Sequence, residues 1–515
     1  MMNSYILVCM IIIYLMYYFQ GIFSIVMFSS LKMSLISDSY SFFFFLTLTV
    51  VSSSVFLWTD YYMSNSIFLK RFMSLVILFV VSMWCLIFCP NWIFSMVGWD
   101  GLGVTSFLLV IFFKTRKALG SGLITAFTNR IGDCFFLLSI PLFFFNGWYF
   151  LNPTFFWFFV CFFLLSLTKS AQVPFSTWLP SAMAAPTPVS ALVHSSTLVT
   201  AGIYLLIRYN FLNLYFLSIV GTFTMIMAGF SACSEIDVKK LVALSTLSQL
   251  GVMFVSLGLS QKKLAFYHLL THALFKALLF MCVGIVIHNL FGSQEFREKG
   301  TLGAAGFSPI GFFIISNFAL MGFPYMSGFF SKDSILEFFF YKEYSFFLML
   351  LFLFGIGLTT MYSFYLINCA LMSLFSKKPY LKVLNAKYSL KLPLSILSVG
   401  AIAGGYFLTL GFLDISIFMN YVDKILPVFC INLGLLLGMY VHSFENPPTL
   451  HTMWGLSSPA QMGSTPLEEL AKLEMMDKGW FDWFSMWPLV AHFTALVYSF
   501  LSSLLMLLGI LFIIL

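Results

Sequence analysis

The sequence predicts an all-α, polytopic membrane protein with about fifteen transmembrane helices. Of its 515 residues, 61% are hydrophobic and 19% aromatic, whereas only 9% are charged. Soluble domains carry about a quarter of charged residues, so this balance indicates a membrane protein. Only helices and closed barrels satisfy the backbone in lipid, and the sequence lacks the period-two alternation of a barrel strand.

The apolar segments are long enough to cross a bilayer, which takes about 20 residues in a helix. In chain order they cover about 4–28, 40–58, 72–89, 92–113, 119–145, 154–184, 187–208, 213–233, 240–259, 264–290, 307–340, 346–374, 392–412, 424–443 and 492–515. The first is too long for the apolar core of a signal peptide. We therefore interpret it as the first span.

Two of these segments are interrupted by proline, at Pro174 and Pro324. Proline removes a backbone donor and breaks a helix, and irregular backbone at membrane depth is tolerated only inside protein or along a wet cavity. Broken helices in corresponding positions of two halves are typical of inverted-repeat transporters. We expect N-terminal helices over 1–91, two repeated halves over 92–233 and 240–374, and further spans over 375–464.

The C-terminal region differs from the spans. Thr465 and Glu468 form a capping-box pattern with proline at the first helical position, and a charged, partly amphipathic stretch follows. Tryptophans at 480, 483 and 487 are typical of a membrane interface. We predict a short interfacial helix over 465–490 and a transmembrane anchor over 491–515.

Three lysines lie within or beside apolar segments: Lys169, Lys276 and Lys332. A charge at the centre of a membrane helix costs roughly 2.5–3.5 kcal/mol on insertion scales. Burial disfavours a charged lysine and a nearby carboxylate favours it, so such a group can be toggled between protonation states. We interpret the three lysines as a buried pathway for a small cation, with protons favoured; a salt bridge of Lys332 with Asp333 is the structural alternative.

Two acids provide partners for this pathway. Asp100 lies in Gly-Trp-Asp-Gly-Leu-Gly, and Asp133 lies in Asn-Arg-Ile-Gly-Asp with Arg130 close by. Either acid is a candidate partner of Lys169. The structural alternatives are a helix cap for Asp100 and an ion pair near a helix end for Asp133 with Arg130.

Three histidines are further candidates for the proton pathway. His194 lies in a span rich in hydroxyl groups, and His268 and His272 precede Lys276 at a spacing of four residues, which places the three on one face of a helix. Histidine titrates near neutrality, so we interpret them as a proton relay. A metal site would need a third ligand that nothing nearby supplies. Buried core histidines are the alternative, and for His288 that alternative is preferred.

Several classes of function are excluded. No basic run alternates with aromatic residues as nucleic-acid binding would require, and the nine cysteines show no metal-ligand or disulfide spacing. No phosphate-binding loop or nucleophile motif occurs. We expect no bound cofactor or metal and no redox chemistry in this chain.

The motifs converge on one family. They are Gly98-Trp-Asp-Gly-Leu-Gly, Asn129-Arg-Ile-Gly-Asp, Lys169-Ser-Ala-Gln, Trp178-Leu-Pro-Ser-Ala-Met, Pro186-Thr-Pro-Val-Ser-Ala-Leu-Val-His-Ser-Ser-Thr, Asp237-Val-Lys-Lys, Thr271-His-Ala-Leu-Phe-Lys and Phe330-Ser-Lys-Asp. Over about residues 40–375 the chain resembles the chain 5 family of NADH–ubiquinone oxidoreductase, the distal antiporter-like subunit of mitochondrial respiratory complex I.

The resemblance implies roles for these residues. Asp100 takes the place of the input carboxylate, Asp133 of the modulating acid and Lys169 of the pumping lysine. His194 connects toward the central lysine, Lys276, with His268 and His272 beside it, and Lys332 serves the exit half. The resemblance also implies antiporter-like repeats, and a proton pump of the mitochondrial inner membrane whose NADH, FMN, iron–sulfur clusters and ubiquinone are used elsewhere in the complex.

The implied partners are other membrane-arm subunits, especially the adjacent antiporter-like chain 4, and phospholipids such as cardiolipin.

The sequence departs from the family in three respects. Many members carry Glu where Asp100 stands, which alters the reach to Lys169. The family usually has one more helix before the span at 40–58 than this sequence predicts. The predicted helix over 465–490 is also shorter than the family's lateral helix. The rival hypotheses are a free-standing or Mrp-type cation/proton antiporter subunit and a structural arm subunit without a working channel.

Overall fold

The computed structural model describes residues 21–26, 32–64, 66–146, 153–209, 215–289, 307–341, 346–371, 388–412 and 421–440, with isolated positions at 5, 9, 292, 294 and 295. All of them belong to one compact unit, Met1–Trp454. The predicted interfacial helix over 465–490, the anchor over 491–515 and the linking residues 441–464 lie outside the described residues.

Helices dominate this unit. In chain order they are α1 (Ser39–Tyr62), α2 (Leu69–Phe88), α3 (Trp92–Val110), α4 (Arg116–Asn146), α5 (Pro153–Lys169), α6 (Trp178–Ser181), α7 (Thr187–Arg208), α8 (Tyr215–Ser234), α9 (Val238–Gly258), α10 (Lys262–Asn289), α11 (Phe307–Met321), α12 (Ser327–Tyr341), α13 (Phe346–Leu371), α14 (Tyr388–Phe412) and α15 (Tyr421–Tyr440). The helical fold class is confirmed.

Ten helices among the described residues are long and apolar enough to cross a membrane, and three shorter apolar helices lie within α5, α11 and α15. The chain is thus a multi-pass membrane protein, although the predicted total of fifteen spans is not established by this count. The two segments predicted to be interrupted, 154–184 and 307–340, are each divided into two helices.

The N-terminal prediction is wrong for part of its range. Gly21–Val26, which we placed in a helical span over 4–28, forms a strand (β1) that pairs antiparallel with Lys32–Ser37 (β2). Short apolar runs rich in β-branched and aromatic residues suit a strand as well as a buried helix, and hydrophobicity does not distinguish the two. The hairpin leads into α1, whose N-terminus is capped by the Asp38 carboxylate accepting from the backbone N–H of Ser41.

The interior of the bundle is formed by three helices, α7, α9 and α10, whose most apolar windows are completely buried. The corresponding windows of α3, α4 and α14 are only 33% buried, so these helices lie at the periphery. A helix that is apolar on all sides has to be surrounded by other helices or by lipid. The lysine at 276 and the histidines at 194, 268 and 272 lie on the enclosed helices.

The helix before each of the two breaks ends with the same hydrogen-bond pattern. In the first, the backbone N–H of Gln172 donates to the carbonyl of Leu167, and Ala171 adopts the left-handed conformation with φ +55°. In the second, Phe323 donates to Phe318 and Gly322 has φ +84°. A six-residue closure around a left-handed residue is the Schellman ending of a helix. The two halves therefore share a local backbone geometry; their relation as inverted repeats stays a prediction.

A helix ending leaves carbonyl groups without intrahelical donors, and at membrane depth these need another partner. In the first break the indole nitrogen of Trp178 donates to the carbonyl of Thr168 at 2.9 Å. Both groups are buried. Trp178 thus connects the short helix α6 to the end of α5 and holds the break in place.

Glycine allows a close helix contact between α8 and α9. A Cβ atom added at Gly251 would lie 2.6 Å from the carbonyl oxygen of Gly221, and one added at Gly221 would lie 2.7 Å from that of Gly251. Since the clashing atoms belong to the backbone, a side chain at either position would push the helices apart.

We expect Gly251→Ala to destabilise the protein by about 1–3 kcal/mol, the usual cost of overpacking a core. Thermal unfolding of the purified protein in mild detergent measures the change. Gly120→Ala is the matched control, because a Cβ there meets nothing within 4 Å. Equal unfolding temperatures for the two variants would contradict the close contact.

Replacing Trp178 by Phe keeps most of the ring and removes the donor to Thr168. A buried carbonyl left without a donor costs about 1–3 kcal/mol, so we expect a lower unfolding temperature for Trp178→Phe. Trp157→Phe, at a side chain that is 61% exposed, should have little effect. An unchanged stability of the Trp178 variant would show that another group meets the Thr168 carbonyl.

Candidate functional site: a row of buried lysines and histidines

The site begins at an ion-paired cluster on the facing surfaces of α3 and α4. The guanidinium of Arg130 contacts the carboxylate of Asp100 at 2.6 Å and that of Asp133 at 3.2 Å. Asp100 and Arg130 are 41% and 57% exposed, whereas Asp133 is 8% exposed. The cluster therefore extends from the surface of the bundle into its interior.

The structural alternatives for these acids are resolved in part. Asp100 lies in the middle of α3, so a helix-cap role is excluded. The ion pair of Asp133 with Arg130 is present, but it lies in the middle of α4 and not near a helix end. Arg130 joins both acids because residues 130 and 133 share a face of α4 and the planar guanidinium can bind two carboxylates.

Trp99 links this cluster to Lys169. Its indole N–H donates to the Asp133 carboxylate at 2.9 Å, and its backbone carbonyl accepts from the Lys169 ammonium at 3.2 Å. The ammonium also lies 4.8 Å from the centroid of the Trp99 ring, within the range of a cation–π contact. A single residue thus contacts both the acid and the lysine.

Lys169 itself is completely buried at the last position of α5. We expected a direct pair with Asp100 or Asp133, but the salt bridges of the described residues do not include Lys169, because Arg130 and Trp99 occupy the carboxylates. Both acids still act on the ammonium electrostatically. The lysine and its acids are therefore neighbours whose contact is indirect.

His194 lies in a wide π-helical turn, Ser190–Thr197, at the start of α7. The widening is visible in the hydroxyl of Thr197, which reaches back five residues to the carbonyl of Leu192 at 2.8 Å. Such turns occur often at functional sites. The imidazole is buried, its centroid lies 6.3 Å from the ring of Trp178, and neither ring nitrogen has a hydrogen-bond partner among the described residues.

The hydroxyls around His194 donate hydrogen bonds within their own helix. Ser190, Ser195, Ser196, Thr197 and Thr200 all donate to backbone carbonyls of their own helix. Their oxygen atoms still have lone pairs, so the surface around the imidazole can accept hydrogen bonds.

The predicted row on α10 is present. His268 and His272 lie with ring centroids 6.2 Å apart, and Lys276 follows one turn later. All three side chains are completely buried. The Lys276 ammonium donates to the hydroxyl of Ser245 on α9 at 2.6 Å, and both ring nitrogens of His272 lack a partner within the described part of the chain.

The row continues to the second broken segment. The Nδ1 atom of His268 lies 2.9 Å from the hydroxyl of Ser331 on α12, the residue before Lys332. His268, His272, Lys276 and Lys332 also lie close enough to interact electrostatically. Ser331 thus joins the histidine row of α10 to the second broken helix.

Lys332 binds to a backbone carbonyl at the second helix break. Its ammonium donates to the carbonyl of Leu320 at 2.5 Å. In a continuous helix that carbonyl would accept from the backbone nitrogen of residue 324, but residue 324 is proline and has no N–H. The break therefore supplies the acceptor for the lysine.

Four contributing residues were not identified from the sequence. Trp99, Ser245 and Ser331 are the contacts described above, and each needed the tertiary structure to be recognised. The fourth, Lys239, is buried, and its ammonium donates to the carbonyl of Ala185 at 3.1 Å. Its motif, Asp237-Val-Lys-Lys, was the available signal.

Groups of three or more His, Cys, Asp or Glu that could hold a metal ion are absent from the described residues. The cysteines of that part of the chain are free thiols.

Comparison with known proteins supports one family. Residues 89–359 match the model of the NADH:quinone oxidoreductase/Mrp antiporter transmembrane family. The chain is 45% identical over 392 residues to the NADH-ubiquinone oxidoreductase chain 5 of Lumbricus terrestris, covering 74% of this chain and 68% of that protein. It is 39% identical over 492 residues to that of Anopheles gambiae, covering 88% and 84%.

Two solved structures share the fold. A chain of the Mrp complex from Dietzia sp. DQ12-45-1b superimposes with a TM-score of 0.74 and 22% identity, covering 89% of this chain and 56% of that one. A chain of the archaeal membrane-bound sulfane sulfur reductase gives a TM-score of 0.70 and 20% identity, covering 85% and 92%. These likenesses establish the fold, and the sequence relatives establish the family: this chain belongs to the NADH-ubiquinone oxidoreductase chain 5 family.

Proposed function

We propose that this chain is a proton-translocating membrane-arm subunit of respiratory complex I. NADH oxidation and ubiquinone reduction would take place in other subunits, where FMN and the iron–sulfur clusters are bound. This subunit would use the released energy to move protons and would itself bind no redox cofactor. The enzyme is then the proton-translocating NADH:ubiquinone reductase, and the location is the mitochondrial inner membrane.

The observation that carries the proposal is the way the three lysines are held. Lys169, Lys276 and Lys332 are buried, and each ammonium donates to a neutral acceptor: a backbone carbonyl for the first and third and a serine hydroxyl for the second. An ammonium locked in a buried ion pair is costly to deprotonate, because the carboxylate is then left alone. A lysine with neutral partners avoids that cost and is suited to proton exchange.

The order of the groups supports a route. Asp100, Arg130 and Asp133 lie at one end of the row and contact Lys169 through Trp99. At the other end, Lys332 is adjacent in sequence to Ser331, which bonds to the first histidine of α10. A charge change at Asp133 therefore acts first on Lys169, and a change at Lys332 acts on the α10 row. We propose that His194, on the enclosed helix α7, connects the two parts.

Replacing Lys169 or Lys276 by Met should abolish most of the proton translocation coupled to NADH oxidation, because Met fills the same space without a titratable group. Acidification or alkalinisation by membrane vesicles that contain the assembled complex measures the proton flux per electron pair. Lys70→Met, at an exposed lysine, should leave the flux unchanged.

Normal flux in both buried-lysine variants would contradict the proposed function. Native gel migration answers a separate question: an assembly with NADH dehydrogenase activity supports a complex I subunit, whereas migration of the chain without such activity supports the Mrp-type rival.

The position of the Asp100–Arg130 pair bears on the partner. The pair is partly exposed on helices that cross the membrane, among exposed apolar side chains such as Val97, Phe127 and Ile131. Charges facing lipid cost roughly 2.5–3.5 kcal/mol each at the bilayer centre. We therefore propose that protein covers this α3–α4 face, and that the covering protein is the adjacent antiporter-like chain 4. Cardiolipin is proposed as a lipid partner without assignment to a surface.

A cysteine at Phe127 tests this assignment. In the assembled complex, Phe127→Cys should form a cross-link to the neighbouring antiporter-like subunit with a short reagent that carries a maleimide and a photoactivatable group. Phe407→Cys, on the outer face of α14, is a similarly exposed control that should give no cross-link to that subunit. Lipid labelling of the cysteine at 127 with no protein cross-link would overturn the proposed contact.

A further inference from the structure

Asn129 is a buried polar residue to which neither the sequence nor the comparisons assign a role. It lies on α4, one helical turn before Asp133, and its side chain is 3% exposed. Neither its amide oxygen nor its amide nitrogen has a hydrogen-bond partner among the described residues. A buried amide can make four hydrogen bonds, and a native protein rarely leaves all of them unmade.

The space beside Asn129 is adjacent to the Lys169 ammonium. A Cβ atom added at Gly103 on α3 would lie 3.4 Å from the Lys169 Nζ atom and 3.9 Å from the Asn129 Cβ atom. The two side chains therefore approach the same point from α5 and α4, and the glycine leaves that point free of a side chain. Any larger residue at 103 would occupy the space between them.

Lys169 also has unused hydrogen-bonding capacity. An ammonium has three N–H donors, and in the described part of the chain the single hydrogen-bond acceptor of Lys169 is the carbonyl of Trp99, at 3.2 Å. A buried water makes about three hydrogen bonds to otherwise unsatisfied polar groups. The Lys169 ammonium can donate a hydrogen bond to such a water. The Asn129 amide can donate through its nitrogen and accept through its oxygen, so the two side chains together supply the partners that the water needs.

We propose that Asn129 is a positioning residue that holds an ordered water on the Lys169 ammonium. The water accepts a hydrogen bond from Lys169 and exchanges hydrogen bonds with the Asn129 amide. It thereby provides the proton carrier that Lys169 needs, because the Asp133 carboxylate is already bonded to Trp99 and Arg130 and does not contact the lysine directly. This inference rests on the proposed proton translocation, and it adds a water site and a residue to that pathway.

The direct test is a density map of the intact complex at a resolution that shows ordered waters. We expect a water within hydrogen-bond distance of both the Asn129 amide and the Lys169 Nζ atom. A direct bond between the amide and the ammonium, or a space without water, overturns the proposal. This measurement needs no variant and no activity.

Variants test the role. Asn129→Leu keeps the branching and the number of side-chain heavy atoms and has no hydrogen-bonding group, and we expect it to slow proton translocation by about threefold to tenfold, the effect of losing one hydrogen bond on the pathway. Asn129→Ser keeps a polar group and room for water and should recover most of the rate. Thr125→Val is the matched control, since Thr125 is buried one turn earlier on the same face and its hydroxyl bonds its own helix.

The outcomes separate this inference from the proposed function. Loss of flux in Lys169→Met with normal flux in Asn129→Leu overturns the role of Asn129 alone. Normal flux in both overturns the proposed function. Loss in Asn129→Leu without recovery in Asn129→Ser indicates a packing role and also overturns the inference. A variant that fails to assemble leaves the density of the unmodified complex as the deciding result.

Discussion

The structure depends on one constraint: a helix that ends inside the bundle exposes carbonyl groups, and each of them needs a donor where no bulk water is available. In the first break the donor is the indole of Trp178, which reaches the carbonyl of Thr168. In the second the donor is the Lys332 ammonium, which reaches the carbonyl that Pro324 leaves without an N–H. The break and the buried charge therefore stabilise each other in the second half, and either one alone would be costly at this depth.

The same constraint determines how the lysines can act. A lysine bound to carbonyl or hydroxyl oxygen keeps its position whether or not a neighbouring carboxylate is charged, and nearby charges change the free energy of its protonation without a change of contacts. Arg130 and Trp99 hold the carboxylate of Asp133 in place, so that its charge acts on Lys169 at a distance. The histidines lie on the enclosed helices α7 and α10. Coupling along the row is then electrostatic, and the packed interior of the bundle fixes the distances.

Much of this arrangement follows from the sequence. The helices were predicted from the length of the apolar segments and both breaks from the proline positions. The face shared by His268, His272 and Lys276 was predicted from their four-residue spacing. The strand at Gly21–Val26 was not, because an apolar run of that composition is compatible with a strand or a helix. The direct pairing of Lys169 with an acid was not found either. Which of two carboxylates meets a lysine depends on competitors such as Arg130 and Trp99, and their positions are set by tertiary packing that spacing along one chain does not show.

The central claim is that the two lysines at the breaks take part in moving protons and are not only donors to exposed carbonyls. The most direct measurement is the number of protons translocated per electron pair by the assembled complex when Lys169 and Lys332 are both replaced by Met. If the lysines carry protons, the complex still oxidises NADH with an artificial electron acceptor, and its proton yield per electron pair falls. A complex that assembles with both replacements and translocates protons at the unmodified yield would contradict the account and would assign the lysines a structural role.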